Sequence, residues 1–321
     1  MKMAIWIMGG LAALIVATAG AFWFLRPEGV AVAAIERQYG GPPSRFVKLP
    51  SGSVARYQDY PADAEARQGT IVLLHGGSIS LESWTPWIER LHGDWRIIAV
   101  DLPGHGLTGV TVENDYSVPG MVAFVDSFTR TLGLDQPFVL AGHSMGGHVA
   151  WRFTLLHPGR VNKLVLVAPG GIVAAGGPQA KAFQLAAAPG GSVVLRLAAS
   201  RERLESALRT VFHDGSLVTA AMIDRYWTMS QRVGSLDAAV ARLQSPSFDP
   251  ASVARLGDIK KPMLLLWGRD DIVYPSHLAR AFMSAMPSTT LVEYNQCGHF
   301  PHEEFPDRTA ADLRAFLRNE N

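Results

Sequence analysis

The sequence predicts an α/β protein built on a mainly parallel sheet. Short unbroken apolar runs, typical of strands buried on both faces, recur along the chain and alternate with segments of helical periodicity. Such alternation favours a parallel sheet covered by helices on both sides. Glycine-rich loops carrying reactive side chains directly follow several of the runs. The length of 321 residues suits one large domain with an inserted subdomain.

The predicted elements begin near residue 46. An opening hairpin is expected from residues 46–49 and 54–57, turning around residues 51–52. Helical spacing of apolar residues predicts helices at residues 118–132 and 310–317. The buried strands are predicted, in chain order, at residues 70–74, 96–100, 138–141, 164–167, 263–267 and 290–294.

The alternation stops between Pro169 and Leu256. This stretch is long, alanine-rich and helix-prone, so it predicts several helices inserted over the sheet as a cap. We therefore predict a core of residues 46–169 and 257–321, and a helical cap of residues 170–256. Most apolar cap residues are expected to pack the cap on the core, and some to line a pocket between them.

The N-terminal residues 1–25 are predicted to be a membrane anchor or a signal segment. Residues 4–25 contain no charged residue and lie between Lys2 and Arg26. As a helix they would measure roughly 33 Å, enough to cross a bilayer core of about 30 Å. Residues 17–19 read Ala-Thr-Ala, so a cleaved signal peptide is the alternative.

The residues on either side of this apolar segment suggest how the protein is oriented in the membrane. Residues 26–45 contain prolines and paired glycines, which predict a linker. Basic residues lie on both sides of the apolar segment, but the short N-terminal tail favours an N-terminus inside the cytoplasm. We expect a single-pass membrane protein, bound to the membrane through residues 4–25, with its large domain outside the cytoplasm. Signal cleavage would instead give a secreted or periplasmic protein.

The segment most informative about chemistry is residues 142–146, Gly-His-Ser-Met-Gly. An apolar run ends just before it and a helical run follows it. A strand, a Gly-x-Ser-x-Gly turn and a helix together form a nucleophile elbow. The N-terminal end of the next helix offers N–H donors and a positive dipole to a developing oxyanion. Ser144 is therefore predicted to be a nucleophile.

A histidine and an aspartate on later loops are predicted to complete a catalytic triad. His299 follows the last strand and is the predicted base, with His302 as its rival. Asp270 and Asp271 are adjacent after the strand that ends at Trp267. We predict Asp271 as the acid, because it lies deeper in the loop, and expect Asp270 to cap the loop or face solvent. Serine, acid and histidine then occur in the order expected of an α/β-hydrolase.

Two backbone N–H groups are predicted to form an oxyanion hole. One belongs to Met145, the residue after the nucleophile. The second is expected from the His-Gly-Gly loop at residues 75–77, and we predict Gly77 in preference to Ser78. Glycine suits this position because the backbone must approach the substrate closely. His75 is expected to brace the loop by hydrogen bonding.

These segments resemble the capped lipase/esterase-like group of serine α/β-hydrolases, from about residue 46 to the C-terminus. The resemblance implies an α/β-hydrolase fold, with a mostly parallel sheet, helices on both faces and an inserted cap. The apolar N-terminal segment and the apolar cap together suggest a hydrophobic, lipid-like small-molecule ester as substrate, and the resemblance also implies cleavage of carboxylic esters through an acyl-enzyme. It rests on residues 75–77, 101–106, 142–147, 268–271 and 298–299.

Other chemistries on this fold stay open. Dehalogenases and epoxide hydrolases carry an aspartate where this chain has Ser144, so they are disfavoured. Ser78 departs from the His-Gly-x-Gly-Pro-Gly loop of carbon–carbon bond hydrolases and the His-Gly-Gly-Pro-Gly loop of proline iminopeptidases. Ser78 therefore makes these two activities less favoured, but they stay possible. A perhydrolase and a non-catalytic ligand-binding protein are further alternatives.

Composition limits the other partners. The net charge is +1, so no general electrostatic attraction to nucleic acid is expected. The single cysteine, Cys297, cannot form an internal disulfide. No cluster of residues has metal-ligand spacing, and the predicted chemistry requires neither a metal nor an organic cofactor. The sequence leaves the oligomeric state open.

Overall fold

The computed structural model describes residues 30–63, 69–172, 199–245, 248–286 and 288–318, together with residues 184, 185, 188, 191 and 194. The described strands form a single eight-stranded sheet. They are Ser44–Lys48 (β1), Val54–Tyr60 (β2), Thr70–Leu74 (β3), Arg96–Val100 (β4), Phe138–His143 (β5), Val161–Val167 (β6), Met263–Gly268 (β7) and Thr289–Tyr294 (β8).

The strand order is β1-β2-β4-β3-β5-β6-β7-β8. β2 pairs antiparallel with β1 and with β4, and the pairs from β4 to β8 are parallel. The first two strands form the predicted hairpin, in which Gly52 adopts a left-handed φ of 95° at the turn. This architecture confirms the predicted α/β-hydrolase fold.

The described helices cover the sheet and extend beyond it. They are Val32–Tyr39 (α1), Thr85–Leu91 (α2), Val118–Thr131 (α3), Met145–Leu156 (α4), Arg201–Val211 (α5), Ala220–Ser230 (α6), Ser235–Gln244 (α7), Pro250–Ala254 (α8), Ala279–Ala285 (α9), Pro301–Glu304 (α10) and Pro306–Arg318 (α11). Helices α5 to α8 lie within the predicted cap, whose division from the core at residue 170 stays a prediction.

The central strands are apolar at nearly every position because both of their faces are buried. Side chains alternate between the faces of a strand, so consecutive residues enter different cores. Val72 and Leu74 of β3 pack in the core that contains α3 and α4. Ile71 and Leu73 pack in the core that contains α2 and α11. The alternation thus produces two hydrophobic layers around one sheet.

The segment predicted as a linker contains regular structure. Helix α1 occupies its middle, and β1 begins at Ser44. Ile35 of α1 is buried with Leu107 and Met229, so this segment packs against the body of the protein. Only one residue of α1 is buried, which explains why its sequence carries a weak helical signal beside the neighbouring glycines and prolines.

The predicted membrane localisation is not retained. Among the residues that the structure describes, no helix is both long enough and apolar enough to cross a bilayer. Residues 4–25, which suggested a single-pass anchor, lie outside the described residues. The prediction of a single-pass anchor, and of the extracytoplasmic placement inferred from it, is therefore withdrawn.

Close backbone contacts hold α4 against the sheet. A Cβ atom on Gly146 would lie 2.2 Å from the carbonyl oxygen of Leu74 in β3. A Cβ atom on Gly142 would lie 2.2 Å from the carbonyl oxygen of Gly146 itself. Real atoms do not approach so closely, so only glycine permits this packing of β3, β5 and α4.

Replacing Gly146 by alanine should therefore destabilise the protein strongly. We expect Gly146→Ala to lower the free energy of unfolding by about 3 kcal/mol or more, since the added methyl group meets rigid backbone. The matched control is Gly159→Ala, because an added Cβ there meets nothing within 4 Å. Urea denaturation followed by circular dichroism checks both variants, and equal midpoints for the two would contradict this account.

Candidate active site

Ser144 lies at the tip of the turn between β5 and α4. Its φ of 52° and ψ of −113° are unusual for a residue other than glycine, as expected of a nucleophile elbow. Three backbone hydrogen bonds fix this conformation. The Ser144 N–H donates to Val167 O at 3.0 Å, and Ser144 O accepts from the N–H groups of His148 at 3.0 Å and Gly170 at 2.9 Å.

Asp271 and His299 form a buried pair. The Nδ1 atom of His299 is 2.8 Å from Oδ2 of Asp271. The other carboxylate oxygen, Oδ1, accepts from the N–H groups of Val273 at 2.8 Å and Tyr274 at 2.9 Å. The carboxylate is therefore fixed by its own loop and holds one edge of the imidazole, the geometry that keeps the Nε2 edge unprotonated and able to accept a proton.

The structure brings this pair beside the elbow. The ring centroids of His299 and His143 are 4.8 Å apart, and His143 immediately precedes Ser144. The Nε2–H of His143 donates to the carbonyl oxygen of His299 at 2.9 Å. Ser144, Asp271 and His299, far apart along the chain, thus meet at the carboxyl ends of β5, β7 and β8.

A carboxylate beneath the His299 loop joins this loop to the end of α5. Glu304 accepts from the N–H groups of Gly298 at 2.9 Å, Phe300 at 3.2 Å and His213 at 2.8 Å. The N–H of His299 also donates to Val211 O at 2.8 Å. The loop that carries the predicted base is therefore hydrogen-bonded to the C-terminal end of α5, a helix of the predicted cap.

The first turn of α4 and the loop that contains Gly77 both lie beside Ser144. Met145 is the first residue of α4, where N–H groups have no partner within the helix. The other side is the loop at residues 75–77, since a Cβ on Gly76 would lie 3.3 Å from Cβ of Ser144. His75 braces this loop as expected: Nε2 accepts from the Leu102 N–H at 3.0 Å, and Nδ1–H donates to Gly76 O at 2.7 Å.

The rival residues lie in different surroundings. Asp270 is about half exposed and pairs with His213 of the predicted cap at 2.8 Å. His302 is fully buried, and its ring centroid is 4.4 Å from that of Trp84. Burial lowers the pKa of His302 to about 3, so this ring stays neutral and is shut away from any substrate.

Charged residues of the predicted cap and of α10 also converge near the site, and the sequence analysis missed them. Arg225 of α6 is within electrostatic range of Glu82 and Glu303, and its guanidinium carbon is 5.0 Å from the ring centroid of Tyr226. Arg242 of α7 reaches the loop at Gly77. In the sequence, charged residues on a helix are indistinguishable from residues on a solvent-exposed face. Only the contacts in the folded protein show that these residues lie near the site.

Among the described residues, no group of three or more His, Cys, Asp or Glu side chains is arranged to hold a metal ion. The acids and histidines at the site are instead engaged with each other and with backbone. Asp271 has both oxygens occupied, and Glu304 accepts three backbone N–H groups. The described site therefore offers hydroxyl, imidazole and backbone N–H groups for its chemistry.

Comparison with known proteins places the chain in a family. A family model described as alpha/beta hydrolase fold matches residues 69–306. The chain belongs to this family and is a hydrolase of it. A solved membrane phospholipase A, described as a bacterial virulence factor, covers 98% of this chain with 99% of its own, at 24% identity and a TM-score of 0.70. That likeness shows the common fold.

Two curated relatives name a reaction. The 2-hydroxy-6-oxononadienedioate/2-hydroxy-6-oxononatrienedioate hydrolase of Paraburkholderia phymatum is 30% identical over 288 residues, covering 85% of this chain and 95% of the relative. The 2-hydroxy-6-oxo-6-phenylhexa-2,4-dienoate hydrolase of Burkholderia cepacia is 27% identical, covering 86% and 96%.

These relatives overturn the predicted activity. They are named as hydrolases of 2-hydroxy-6-oxo acids, which contain no ester bond, so their hydrolysis cleaves a carbon–carbon bond; the sequence had instead favoured carboxylic esters and a lipase-like enzyme. The weight given to Ser78, which departs from the loop of carbon–carbon hydrolases, was wrong. The alternative that was less favoured is the one that the relatives support.

Adjacent aspartates allow a test of the acid. We expect Asp271→Asn to lower kcat by about 10⁴-fold, because the amide cannot hold His299 in the correct tautomer or stabilise imidazolium. Asp270→Asn is the matched control and should stay within about threefold of the parent. Turnover of an activated ester such as p-nitrophenyl acetate measures both. Equal losses of kcat in the two variants would contradict the prediction that Asp271 is the acid of the triad.

Glu303 should make stability depend on pH. Burial raises its pKa to about 8, so the folded protein holds a proton that the unfolded chain releases near its ordinary pKa of about 4.3. The stabilising contribution is complete below that ordinary pKa and is lost as pH rises towards 8. We expect the contribution of Glu303 to the free energy of unfolding to fall by up to about 1.4 kcal/mol per pH unit across this window.

Denaturant titrations at a series of pH values check this expectation. Glu303→Gln should remove this contribution, so the stability of the variant relative to the parent should rise between about pH 5 and 8. Glu89→Gln, on the exposed side of α2, should leave the contribution in place. Parallel stability curves for the parent and Glu303→Gln would contradict a protonated Glu303.

Proposed function

We propose that this protein is a serine-dependent carbon–carbon bond hydrolase acting on 2-hydroxy-6-oxo-dienoic acids. The observation that carries the proposal is the match to hydrolases of such acids over 95% and 96% of their lengths. The Asp271–His299 pair beside Ser144 supports it, since this constellation performs acyl transfer from a ketone as well as from an ester. The substrate is accordingly a small anionic ketone.

In the proposed reaction, water is added across the bond between C5 and C6. The enol form of the substrate first shifts its proton to C5, which gives a 2,6-diketone and makes C5 a possible leaving carbon. Ser144 Oγ then attacks the C6 carbonyl and its proton passes to His299. The C5–C6 electron pair leaves as a dienolate delocalised to the C2 oxygen. Protonation of this group releases 2-hydroxypenta-2,4-dienoic acid.

The second half of the reaction is hydrolysis of an acyl-enzyme. His299 takes a proton from water, and the resulting hydroxide attacks the carbonyl carbon bonded to Ser144. Ser144 leaves with the proton from His299, and the acyl group departs as a carboxylic acid. Asp271 stabilises imidazolium in both halves, while the N–H groups of Met145 and Gly77 hold each oxyanion.

Ser78 is compatible with this function. An oxyanion hole requires backbone N–H groups, so the side chains of its loop matter only through the conformation that they permit. Ser78 adopts a φ of 63°, a left-handed conformation that turns the loop directly after Gly77. The loop therefore makes its turn without the proline of the usual motif.

Carbon–carbon bond hydrolysis gives a specific pair of products. With 2-hydroxy-6-oxo-6-phenylhexa-2,4-dienoate as probe, the protein should form benzoate and 2-hydroxypenta-2,4-dienoate in equal amounts, as measured by liquid chromatography and mass spectrometry. In ¹⁸O-labelled water, benzoate from a single turnover should contain one ¹⁸O atom. Ser144→Ala should lower kcat by on the order of 10⁴-fold or more.

A parallel assay with p-nitrophenyl butyrate sets the comparison. The kcat/KM for the dienoate should exceed that for the ester, and both activities should vanish in Ser144→Ala. Turnover of the ester with no cleavage of dienoates that differ in their acyl group would refute carbon–carbon hydrolysis.

A further inference from the structure

The loop that carries His299 is arranged around one buried carboxylate. Glu304 ends helix α10, and its Oε1 atom accepts from main-chain N–H groups on both sides of His299, at Gly298 (2.9 Å) and at Phe300 (3.2 Å). The N–H of Glu304 itself donates to Phe300 O at 2.8 Å. The side chain and the main chain of Glu304 therefore both hold this loop.

The second oxygen of Glu304 has a different partner. Oε2 accepts from the N–H of His213 at 2.8 Å, with a longer bond of 3.0 Å from Gly298. His213 lies in the predicted cap, just after α5. Burial raises the pKa of Glu304, and the three N–H groups oppose this shift because they stabilise the charged form. A carboxylate suits the position, since it only accepts hydrogen bonds and every neighbour here is a donor.

Residues 211–213 also lie directly against the His299 loop. A Cβ atom on Gly298 would lie 2.3 Å from Val211 O and 2.7 Å from the nitrogen of His213, so only glycine permits this approach. The N–H of His299 donates to Val211 O at 2.8 Å. Three consecutive N–H groups, at residues 298–300, are thus fixed, two of them by Glu304 and the middle one by the predicted cap.

The alignment of the imidazole depends on this fixed main chain. Asp271 is held separately, because its Oδ1 accepts from two N–H groups of its own loop. The 2.8 Å contact from Oδ2 of Asp271 to Nδ1 of His299 therefore joins two loops that are positioned independently. Hydrogen bonds weaken steeply when their geometry is poor, and a displacement of about 1 Å can lower a rate about 100-fold.

We propose that Glu304 is the positioning residue of His299. Its carboxylate sets the loop conformation that brings Nδ1 of His299 to Asp271, and it makes this alignment depend on the segment that follows α5. The assignment rests on the proposed function in one respect, that His299 is the base. It applies to any carbonyl substrate, so an activated ester tests it without carbon–carbon cleavage.

Replacing the carboxylate by an amide tests the assignment. In Glu304→Gln an NH₂ group takes the place of one oxygen, so an N–H donor of the loop or of His213 loses its acceptor. We expect kcat for p-nitrophenyl acetate to fall about 10- to 100-fold, because the imidazole is displaced, while KM changes by less than about threefold. Glu304→Asp keeps the charge on a side chain one carbon shorter and should lower kcat without restoring the parent value.

A proton resonance reports the alignment without any substrate. The Nδ1–H group of His299, bonded to Asp271, should give a low-field ¹H resonance in the parent protein, assigned by its loss in Asp271→Asn. In Glu304→Gln and Glu304→Asp this resonance should move to higher field or broaden, because the contact from Nδ1 to Oδ2 lengthens. Circular dichroism establishes that the variants are folded.

The matched control is Asp126→Asn. Asp126 accepts from Arg130 and from Arg160 at 2.8 Å each, so its replacement also removes a carboxylate that joins two segments. It belongs to α3, a helix that carries none of the predicted site residues. This variant should keep kcat within about threefold of the parent and should leave the low-field resonance in place.

The assignment is overturned if folded Glu304 variants keep the parent kcat and the parent resonance, or if Asp126→Asn loses as much kcat. A loss of kcat with an unmoved resonance also overturns it, because Glu304 would then act on something other than the alignment of His299. If ester turnover and the resonance depend on Glu304 but no dienoate is cleaved, the proposed function fails and the assignment of Glu304 stands.

Discussion

The backbone contact of β3, β5 and α4 is the constraint on which the site depends. Glycines at 142 and 146 let the elbow approach the end of β3 so closely that no side chain fits between them. This packing holds Ser144 in a conformation that an isolated chain would avoid. It also places the first turn of α4 opposite the loop at residues 75–77. The predicted nucleophile and the expected oxyanion donors are thus positioned by one contact.

Much of this arrangement follows from sequence patterns with direct physical causes. Buried parallel strands must be apolar on both faces, so β3 to β7 are readable as runs, and the residues just after them share one edge of the sheet. That reasoning predicts Ser144, Asp271 and His299 as the residues of the site, and their catalytic roles stay a prediction. Sequence patterns do not predict helix α1, because a single buried residue, Ile35, leaves almost no periodic signal. They do not single out Arg242 either, because the loop that it contacts, at Gly77, is remote in sequence.

The error about the reaction has a similar origin. A nucleophile elbow and its histidine specify attack on a carbonyl carbon, and they do so equally for an oxygen or a carbon leaving group. The difference lies in the groups that recognise the rest of the substrate, about which the elbow motif carries no information. Some apolar cap residues that suggested a lipid-like ester pack together instead: Phe212 stacks on Phe300 with centroids 4.8 Å apart, in a cluster that includes Tyr226.

The hydrogen bonds between the His299 loop and the end of α5 also restrict how the protein can open. Val211 O and the His213 N–H are tied to the segment that carries His299, directly and through Glu304. Lifting α5 at this end would pull the imidazole away from Asp271. Any movement that lifts this end of α5 must therefore break these hydrogen bonds or displace His299.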